Sequence, residues 1–518
     1  MPKPRLRDML KTACSALLWR HFSRRADEKR QHNHYRGIMK RQLTGLCRPA
    51  RLFLLLGAVL FSAALRLPLA EAAPLLLADG HNTSGARDER ALRQVLGDLS
   101  GGRGTVIALQ RELVSRPAVG PEYGGAGEEE KARWIEAWLT GRGVICERLD
   151  VPDERVPAKV RPNLIAVYPG QSADRASGPT LWLFSHLDVA AAGPRELWQS
   201  DPFALRVSGD ALYGRGAEDN NQAIAVSLLL LESLRKTGAT PPLRLGLVMT
   251  SGALTDYKTG IGHVLEQKPD LFGPNDLLVV MDYGNAQGNL VSVGEKGNLW
   301  LKITVTGKSG HAGNPDTTNN AFAAAAALAH ALRGLEKEFP AENQLFSPPR
   351  TTINPTRTED YSTGVNHIPA KFVFYADARV MADYSFDQVE QAVRRLANAV
   401  EHSDGVRVAI ERVEQTPPSR VTPANAPVLQ SLDRAIRAQL DLEPRHAGTG
   451  SVTMAASLRE KGLNAAVWGV QETLRNKPEE HALISAHIKQ AQVLARMLFD
   501  ATGAGRADGM AGGGKDGK

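Results

Sequence analysis

The chain has 518 residues, an ordinary globular composition and a formal net charge of +7 at pH 7. This length is enough for two or more domains with complete hydrophobic cores. Residues 1–51 hold 14 Lys and Arg against 3 Asp and Glu, a net of +11, so the rest of the chain carries 7 − 11 = −4. Because the positive charge is confined to the start of the chain, composition gives no support to a nucleic-acid partner.

The first 72 residues end in a pattern typical of an export signal. Basic residues up to Arg51 precede an uncharged apolar run at residues 52–65, and Ala70-Glu71-Ala72 follows as a small-x-small cleavage pattern. The apolar run is short for a bilayer span. We expect cleavage of the signal peptide near Ala72 and a mature chain in an exported compartment, a bacterial periplasm. Two alternatives stay open: an uncleaved membrane anchor, and translation that starts at Met39 rather than Met1.

Cysteine usage is sparse. Of the three cysteines, Cys14, Cys47 and Cys146, only Cys146 follows the predicted cleavage site. A single cysteine makes no internal disulfide. It lies in an apolar alternation, which favours a packed thiol over a nucleophile.

After a polar linker at residues 73–88, helical and strand patterns alternate through residues 89–297. Helices are predicted at residues 88–115 (broken at Gly101-Gly102), 128–139, 223–234 and 261–266, and strands at 143–151, 163–168, 180–184, 243–250 and 276–282. This alternation predicts an α/β fold with a mostly parallel sheet flanked by helices on both faces.

The pattern changes at residues 298–414. Strand, helix, two strands, helix and strand are predicted in that order, which is the ferredoxin-like β-α-β-β-α-β arrangement. We therefore expect an inserted α+β domain. The α/β pattern resumes at residues 415–502, and the Gly-rich residues 503–518 are predicted to be disordered.

The strongest chemical signal follows the apolar strand at residues 181–184. That strand ends at His186-Leu187-Asp188, and the later turn Tyr213-Gly214-Arg215-Gly216 presents Glu218 and Asp219. A histidine and carboxylates at the ends of structured elements suit an imidazole and carboxylate metal site. His-x-Asp alone is weak evidence, because a histidine after a strand is more often a packed residue.

The combination in order is much more specific. His186-Leu187-Asp188, Trp198, Asp201-Pro202-Phe203 and Leu212 to Ala217 followed by acidic residues resemble the zinc amidohydrolase and metallopeptidase family of aminoacylase, carboxypeptidase G and succinyl-diaminopimelate desuccinylase. The resemblance covers roughly residues 90–502. It implies a catalytic domain with an inserted lid or dimerisation domain, a homodimer, and hydrolysis of amide bonds by two zinc ions that share one carboxylate.

The resemblance assigns roles to four residues of one metal site. His186, Asp219 and Asp282 match metal ligands, with Asp219 as the bridging carboxylate. Asp188 matches the carboxylate that orients the first histidine, and it fixes the imidazole tautomer. This half of the family pattern is intact.

The other half departs from the family. A Glu-Glu pair that supplies the general base and a ligand is replaced by Ala253-Leu254, and the last histidine ligand by Asn476. Asparagine is a poor zinc ligand. Asp256 is the nearest replacement acid, Glu472, Glu479 and Glu480 are the alternative bases, and His481 can replace the ligand only if its loop is rebuilt.

Substrate-binding positions are better kept. His311 resembles the inserted domain's histidine, which in the family reaches a neighbouring subunit's active site, and Asn366 and Arg379 resemble substrate-binding residues. Arginine suits a carboxylate because its planar fork binds both oxygens. Backbone amides around Gly450 are a further candidate for carboxylate binding.

Two functions remain at this point. One is an exported, metal-dependent hydrolase of peptides, acylated amino acids or similar amides, with a degenerate second metal site. The other is a catalytically impaired pseudoenzyme or binding protein on the same fold, since the loss of a general base costs about two to four orders of magnitude in rate.

Overall fold

The computed structural model describes residues 83–171, 178–254, 257–359 and 364–500. The predicted signal peptide, Met39, Asp256 and the Gly-rich tail lie outside them. The helices are α1 (Thr83–Ser100), α2 (Arg103–Val114), α3 (Glu129–Thr140), α4 (Asn221–Thr237), α5 (His263–Gln267), α6 (Ala321–Leu332), α7 (Phe386–Asp404), α8 (Pro427–Leu440), α9 (Met454–Glu460) and α10 (Ile484–Phe499). The strands are β1 (Cys146–Pro152), β2 (Val160–Tyr168), β3 (Thr180–His186), β4 (Arg206–Ser208), β5 (Ala211–Tyr213), β6 (Arg244–Thr250), β7 (Leu277–Val280), β8 (Leu290–Glu295), β9 (Gly297–Thr306), β10 (Gly310–His311), β11 (Thr352–Thr358), β12 (His367–Ile368), β13 (Lys371–Val380), β14 (Arg407–Thr416), β15 (Arg445–Thr449), β16 (Ala465–Trp468) and β17 (His481–Leu483).

An eight-stranded sheet forms the larger part of the structure, in the order β1-β2-β6-β3-β7-β16-β8-β15. Its centre, β6-β3-β7-β16, is parallel, while β1, β2 and the β16-β8 pair introduce antiparallel neighbours. The predicted mostly parallel α/β sheet is therefore confirmed.

Helices cover both faces of this sheet because β3 is apolar on both sides. All seven residues of β3 are buried. Leu181 and Leu183 pack in the core with α1, α2, α4 and α10, while Trp182 and Phe184 pack in the opposite core with α5 and α9. A strand with two buried faces reads as a continuous apolar run. His186, the polar last residue of β3, consequently lies at the carboxyl edge of the sheet, where ligands bind in such folds.

The inserted segment forms a separate four-stranded antiparallel sheet in the order β11-β13-β9-β14. α6 and α7 pack on it around a core of its own. Both helices begin at capping side chains: Asn320 accepts from two backbone amides, and Ser385 forms a reciprocal capping box with Gln388. The strand order and the β-α-β-β-α-β succession confirm the ferredoxin-like prediction.

Several short elements escaped prediction. β4, β5 and β17 form a small sheet in which β17 lies opposite β5, and this pairing brings the loop before residue 481 against the turn that carries Asp219. α1 begins at Thr83, inside the predicted linker. No helix in the described part of the chain is long and apolar enough to span a membrane.

Candidate metal centre

Three side chains from separate elements meet at the carboxyl edge of the central sheet. His186 ends β3, Asp219 precedes α4, and Asp282 follows β7. His186 Nε2 lies 3.2 Å from Asp219 Oδ1 and 3.8 Å from Asp282 Oδ1. All three are buried, and one ligand atom from each lies within 4.8 Å of the others.

The His186 ring is held from behind by Asp188. His186 Nδ1 lies 2.9 Å from the Asp188 backbone oxygen and 3.3 Å from its carboxylate. The Asp188 carboxylate also accepts the backbone amides of Ala253 at 3.2 Å and Leu254 at 2.9 Å. With Nδ1 committed to these oxygens, Nε2 is the nitrogen that faces the two aspartates.

Asp219 is fixed by the glycine-rich turn and by a buried glutamate. Gly216 has a φ of +81°, and a Cβ there would lie 2.4 Å from Val189 Cγ1, so this turn requires glycine. Glu480 Oε1 accepts the amides of Glu218 and Asp219, each at 3.0 Å, while its other oxygen pairs with Arg215 at 2.5 Å. Burial raises the pKa of Glu480 to about 7 despite Arg215.

The electrostatics of the cluster favour a bound cation. Burial opposes the imidazolium, but Asp188, Asp219 and Asp282 outweigh it and raise the pKa of His186 well above 6.5. Burial also opposes the Asp219 carboxylate, yet Arg475, His186 and Arg215 hold its pKa at about 2. The negative potential that draws a proton onto His186 can equally be satisfied by a divalent ion bound to neutral imidazole.

The donor set fits such an ion. One imidazole and two carboxylates are suitable ligands for zinc and similar divalent metals. Asp282 Oδ1 is buried and accepts no hydrogen bond from the described residues, although Arg475 Nη2 lies 3.3 Å from it as an ion-pair partner. A metal ion would supply the coordination that this oxygen lacks.

A cavity of about 260 Å³ opens above the three side chains, and two domains line it. The central-sheet domain contributes the cluster itself. The inserted sheet contributes the opposite wall: Asn298, Trp300, Arg379, Glu414 and Thr416. The wall of a small cavity thus carries cationic, anionic and aromatic side chains opposite the cluster.

The positions that depart from the family line the same cavity. Ala253, Leu254 and Asn476 are all part of its wall. Beside Asn476, the guanidinium of Arg475 enters the cavity, with Nη2 at 3.3 Å from Asp282 Oδ1.

The alternative bases and the alternative histidine lie elsewhere. Glu480 is committed to Arg215, Glu479 binds the Gln199 amide and Arg206, and Glu472 lies 3.1 Å from His481 Nε2. The His481 ring stacks on Tyr213 with centroids 4.6 Å apart. None of these four lines the cavity, because β17 fixes this segment against β5. Asp256 lies outside the described residues.

The predicted substrate-binding residues fall into two groups. Arg379 faces the cavity, where its fork is held by Asp377 at 2.7 and 2.8 Å and its Nη1 donates to the Gly450 carbonyl at 3.0 Å. Gly450 therefore presents an oxygen here. His311 and Asn366 are exposed and contact each other at 3.1 Å across the β10-β12 pair. They do not line the cavity of their own chain.

Sequence reasoning missed Trp300, Glu414 and Arg475. Trp300 carried a signal, since it occupies an exposed position in the alternating strand β9 and is 37% exposed despite its size. Glu414 and Arg475 carried none that separates them from surface charges.

Comparison with known proteins agrees with this geometry. Residues 293–405 match the M20 peptidase dimerisation domain. An uncharacterised metallohydrolase of Methanocaldococcus jannaschii is 30% identical over 408 residues, which cover 76% of this chain and 98% of the relative. A succinyl-diaminopimelate desuccinylase of Verminephrobacter eiseniae is 26% identical over 392 residues, 73% of this chain and 92% of the relative.

Among solved structures, human carnosine dipeptidase 1 shares the fold with a TM-score of 0.67 at 15% identity, over 79% of this chain and 98% of that one. An M20 family metallo-carboxypeptidase of Sulfolobus solfataricus aligns with a TM-score of 0.60 at 16% identity, over 76% and 98% of the two chains. Sequence and fold agree on the family, and the chain belongs to the M20 peptidase family of metallohydrolases.

Proposed function

We propose that this metallohydrolase uses a divalent ion, zinc in the first instance, to cleave the amide bond of a short peptide or an acylated amino acid that carries a carboxylate. The observation that carries the proposal is the buried His186, Asp219 and Asp282 cluster at the floor of a cavity that Arg379 faces. One relative is named as a succinyl-diaminopimelate desuccinylase, and a structure of the same fold is named as a carnosine dipeptidase, which supports the choice.

Different residues of the cavity bind the metal ion, orient the imidazole and position the substrate. His186, Asp219 and Asp282 would hold the ion, and Asp188 keeps the imidazole in the ligating tautomer. The bound ion supplies Lewis acidity and lowers the pKa of water. Arg379 positions the substrate carboxylate, which orients the scissile amide toward the bound ion.

Metal analysis tests the proposal most directly. We expect the wild-type chain, purified without chelator, to retain divalent metal and Asp219→Ala to lose it together with hydrolysis of dipeptides and N-acyl amino acids. Matched substrates with an amidated carboxyl end should be cleaved poorly. Hydrolysis that survives in Asp219→Ala would contradict the proposal.

Three substitutions favour a second candidate function. Ala253, Leu254 and Asn476 stand where the family resemblance expects a base and two ligands, so a degenerate second metal site is part of our proposal. If the wild-type chain binds metal and short peptides but does not cleave them, the pseudoenzyme reading replaces the hydrolase.

We also propose that the inserted domain pairs with its twin and that His311 and Asn366 complete the neighbouring protomer's cavity. Their exposure and their absence from the lining of their own cavity support this role. Light scattering should give a dimer. A mixture of His311→Ala and Asp219→Ala chains should recover activity that neither has alone, whereas a monomer at micromolar concentration would contradict the model.

Export remains a proposal based on the sequence pattern before Ala73. Mass spectrometry of the protein from its native host should find a first residue near Ala73. Retention of residues 40–70 would show that the apolar run is not a cleaved signal.

A further inference from the structure

We propose that the Arg475 guanidinium is a built-in cation that shares the metal centre with a single divalent ion. This inference rests on the proposed hydrolase function and gives one side chain a role within it. Arg475 would occupy the place in the charge balance that a second metal ion would otherwise take.

The first support is its position. Arg475 Nη2 lies 3.3 Å from Asp282 Oδ1, the same oxygen that accepts no hydrogen bond from the described residues. The guanidinium is therefore in direct ion-pair contact with one of the two aspartates of the cluster.

The second support is the charge balance of the site. Three carboxylates, Asp188, Asp219 and Asp282, lie around His186, giving −3. One divalent ion and Arg475 together give +3. Among the groups next to His186, one ion with Arg475 therefore balances the three acids without a second ion.

The third support is the wall around Arg475. In the wall of the same cavity, Ala253 and Leu254 have no acidic side chain, and their backbone amides are already donated to Asp188. These residues offer a second ion no carboxylate.

The loop that carries Arg475 is anchored, so the charge is fixed in place. Glu218 accepts the amide of Glu472 at 2.6 Å and that of Leu474 at 2.5 Å, and Arg475 Nη2 donates to Gln471 Oε1 at 3.3 Å. Both polar contacts of the guanidinium within the described residues use Nη2. A guanidinium has five N–H donors, so others remain for a ligand.

Arg475 is thereby placed to stabilise the reaction as well as the resting site. When water adds to the amide carbonyl, a C–O bond forms and the π electron pair moves to the carbonyl oxygen. An Arg475 N–H can donate to that oxygen. The pair returns as the C–N bond breaks, and the leaving nitrogen takes a proton from the added water. Loss of one such donor typically lowers kcat by about 10²–10³-fold.

The test uses the full chain stripped of metal and titrated with Zn²⁺ or Mn²⁺ by calorimetry, with native mass spectrometry for stoichiometry. We expect one ion per wild-type chain. In Arg475→Ala, we expect at least about tenfold tighter binding of that ion, or uptake of a second one, because a repelling charge is gone. Its kcat should nevertheless fall about 10²-fold. Arg475→Lys should return the ion affinity to near the wild-type value.

Arg379→Ala is the matched control, since it removes another cation from the same cavity. Its ion affinity should equal that of the wild type while its KM rises. If Arg475→Ala does not fold, Arg475→Gln replaces it. Two ions per wild-type chain, or ion affinity and stoichiometry in Arg475→Ala and Arg475→Gln that equal those of the wild type, would overturn the inference. Loss of metal dependence in the wild type itself would instead overturn the proposed function.

Discussion

The two halves of the cavity floor differ in how well the roles of their residues can be predicted from the sequence. The histidine half consists of His186, Asp219 and Asp282, and the arginine half of Ala253, Leu254, Arg475 and Asn476. The histidine half keeps every residue type that the family resemblance requires. In the arginine half, apolar and amide side chains stand where the family resemblance expects two acids and a histidine, and Arg475 lines the cavity with them.

Neighbouring acids support the two halves separately. The Asp219 carboxylate belongs to the histidine half, and the adjacent Glu218 side chain accepts two amides of the loop that carries Arg475. Asp188 connects the halves, since its carboxylate lies beside the His186 ring and accepts the amides of Ala253 and Leu254. The arginine half is therefore held in place by hydrogen bonds to buried acids, as the histidine half is. This favours a defined role for its residues over a random loss of ligands.

Removal of a ligand from the histidine half should have the largest effect. Asp282→Asn keeps the side-chain shape but removes the charge, so divalent-ion binding should weaken by more than the 10–100-fold typical of supporting residues, and hydrolysis should be lost with it. Calorimetric titration of the metal-free variant measures the first, and a dipeptide assay the second. Binding close to the wild-type value would show that Asp282 is not a ligand and would end the distinction between the halves.

A change in the connecting residue should come next. Asp188→Asn leaves one oxygen to serve both the imidazole and the two amides, so we expect ion affinity to fall about 10–100-fold. Added metal at high concentration should restore part of the activity. The same loss without rescue would indicate that Asp188 supports the loop rather than the histidine.

The loop of the arginine half can be destabilised without a change to any proposed metal ligand. In Glu218→Gln, one of the two loop amides faces an NH₂ group instead of an acceptor, and an orphaned buried donor costs about 1–3 kcal/mol. Chemical denaturation measures this loss. Ion affinity should change far less than in Asp188→Asn. A large loss of metal would show that the loop also organises the histidine half.

The same contrast explains what sequence could predict. The sheets and their helices were predictable because each strand carries a distinct apolar pattern, as in the fully buried β3 and the alternating β9. His186, Asp219 and Asp282 could be predicted as metal ligands because each follows a recognisable strand or turn. The role of Arg475 was not, because it depends on β17 pairing with β5, a contact between short strands far apart in the chain that leave little periodic signal.

The locations of loop residues were the hardest to predict from the sequence, for the same reason. His481 and Glu480 lie close to Asn476 in sequence, yet β17 directs His481 toward Tyr213 and buries Glu480 beside Arg215. From the sequence, Glu480 was an alternative base, and His481 was a replacement ligand only if its loop were rebuilt. The pairing of β17 with β5 instead holds both residues away from the cavity lining.

The smallest expected effect concerns a buried acid near two other residues that line the cavity. Glu295 accepts from Thr453 Oγ1 at 2.5 Å, and Thr453 caps the helix that follows the cavity residues Ser451 and Val452. Burial raises the pKa of Glu295 to about 7 although Arg459 opposes the shift. The folded chain therefore holds this proton up to a higher pH than the unfolded chain, whose carboxyl releases it near 4.5.

It follows that the contribution of Glu295 to stability is complete below about pH 4.5 and is lost as the pH rises through about 7. Glu295→Gln stays neutral, so at pH 8 its free energy of unfolding should exceed that of the wild type by on the order of 1 kcal/mol, with little difference near pH 4.5. Denaturation at the two pH values measures the gap. A variant that is less stable at pH 8 would mean that the charged pair with Arg459 outweighs the burial of the carboxylate, because loss of one partner from a buried pair leaves the other charge uncompensated.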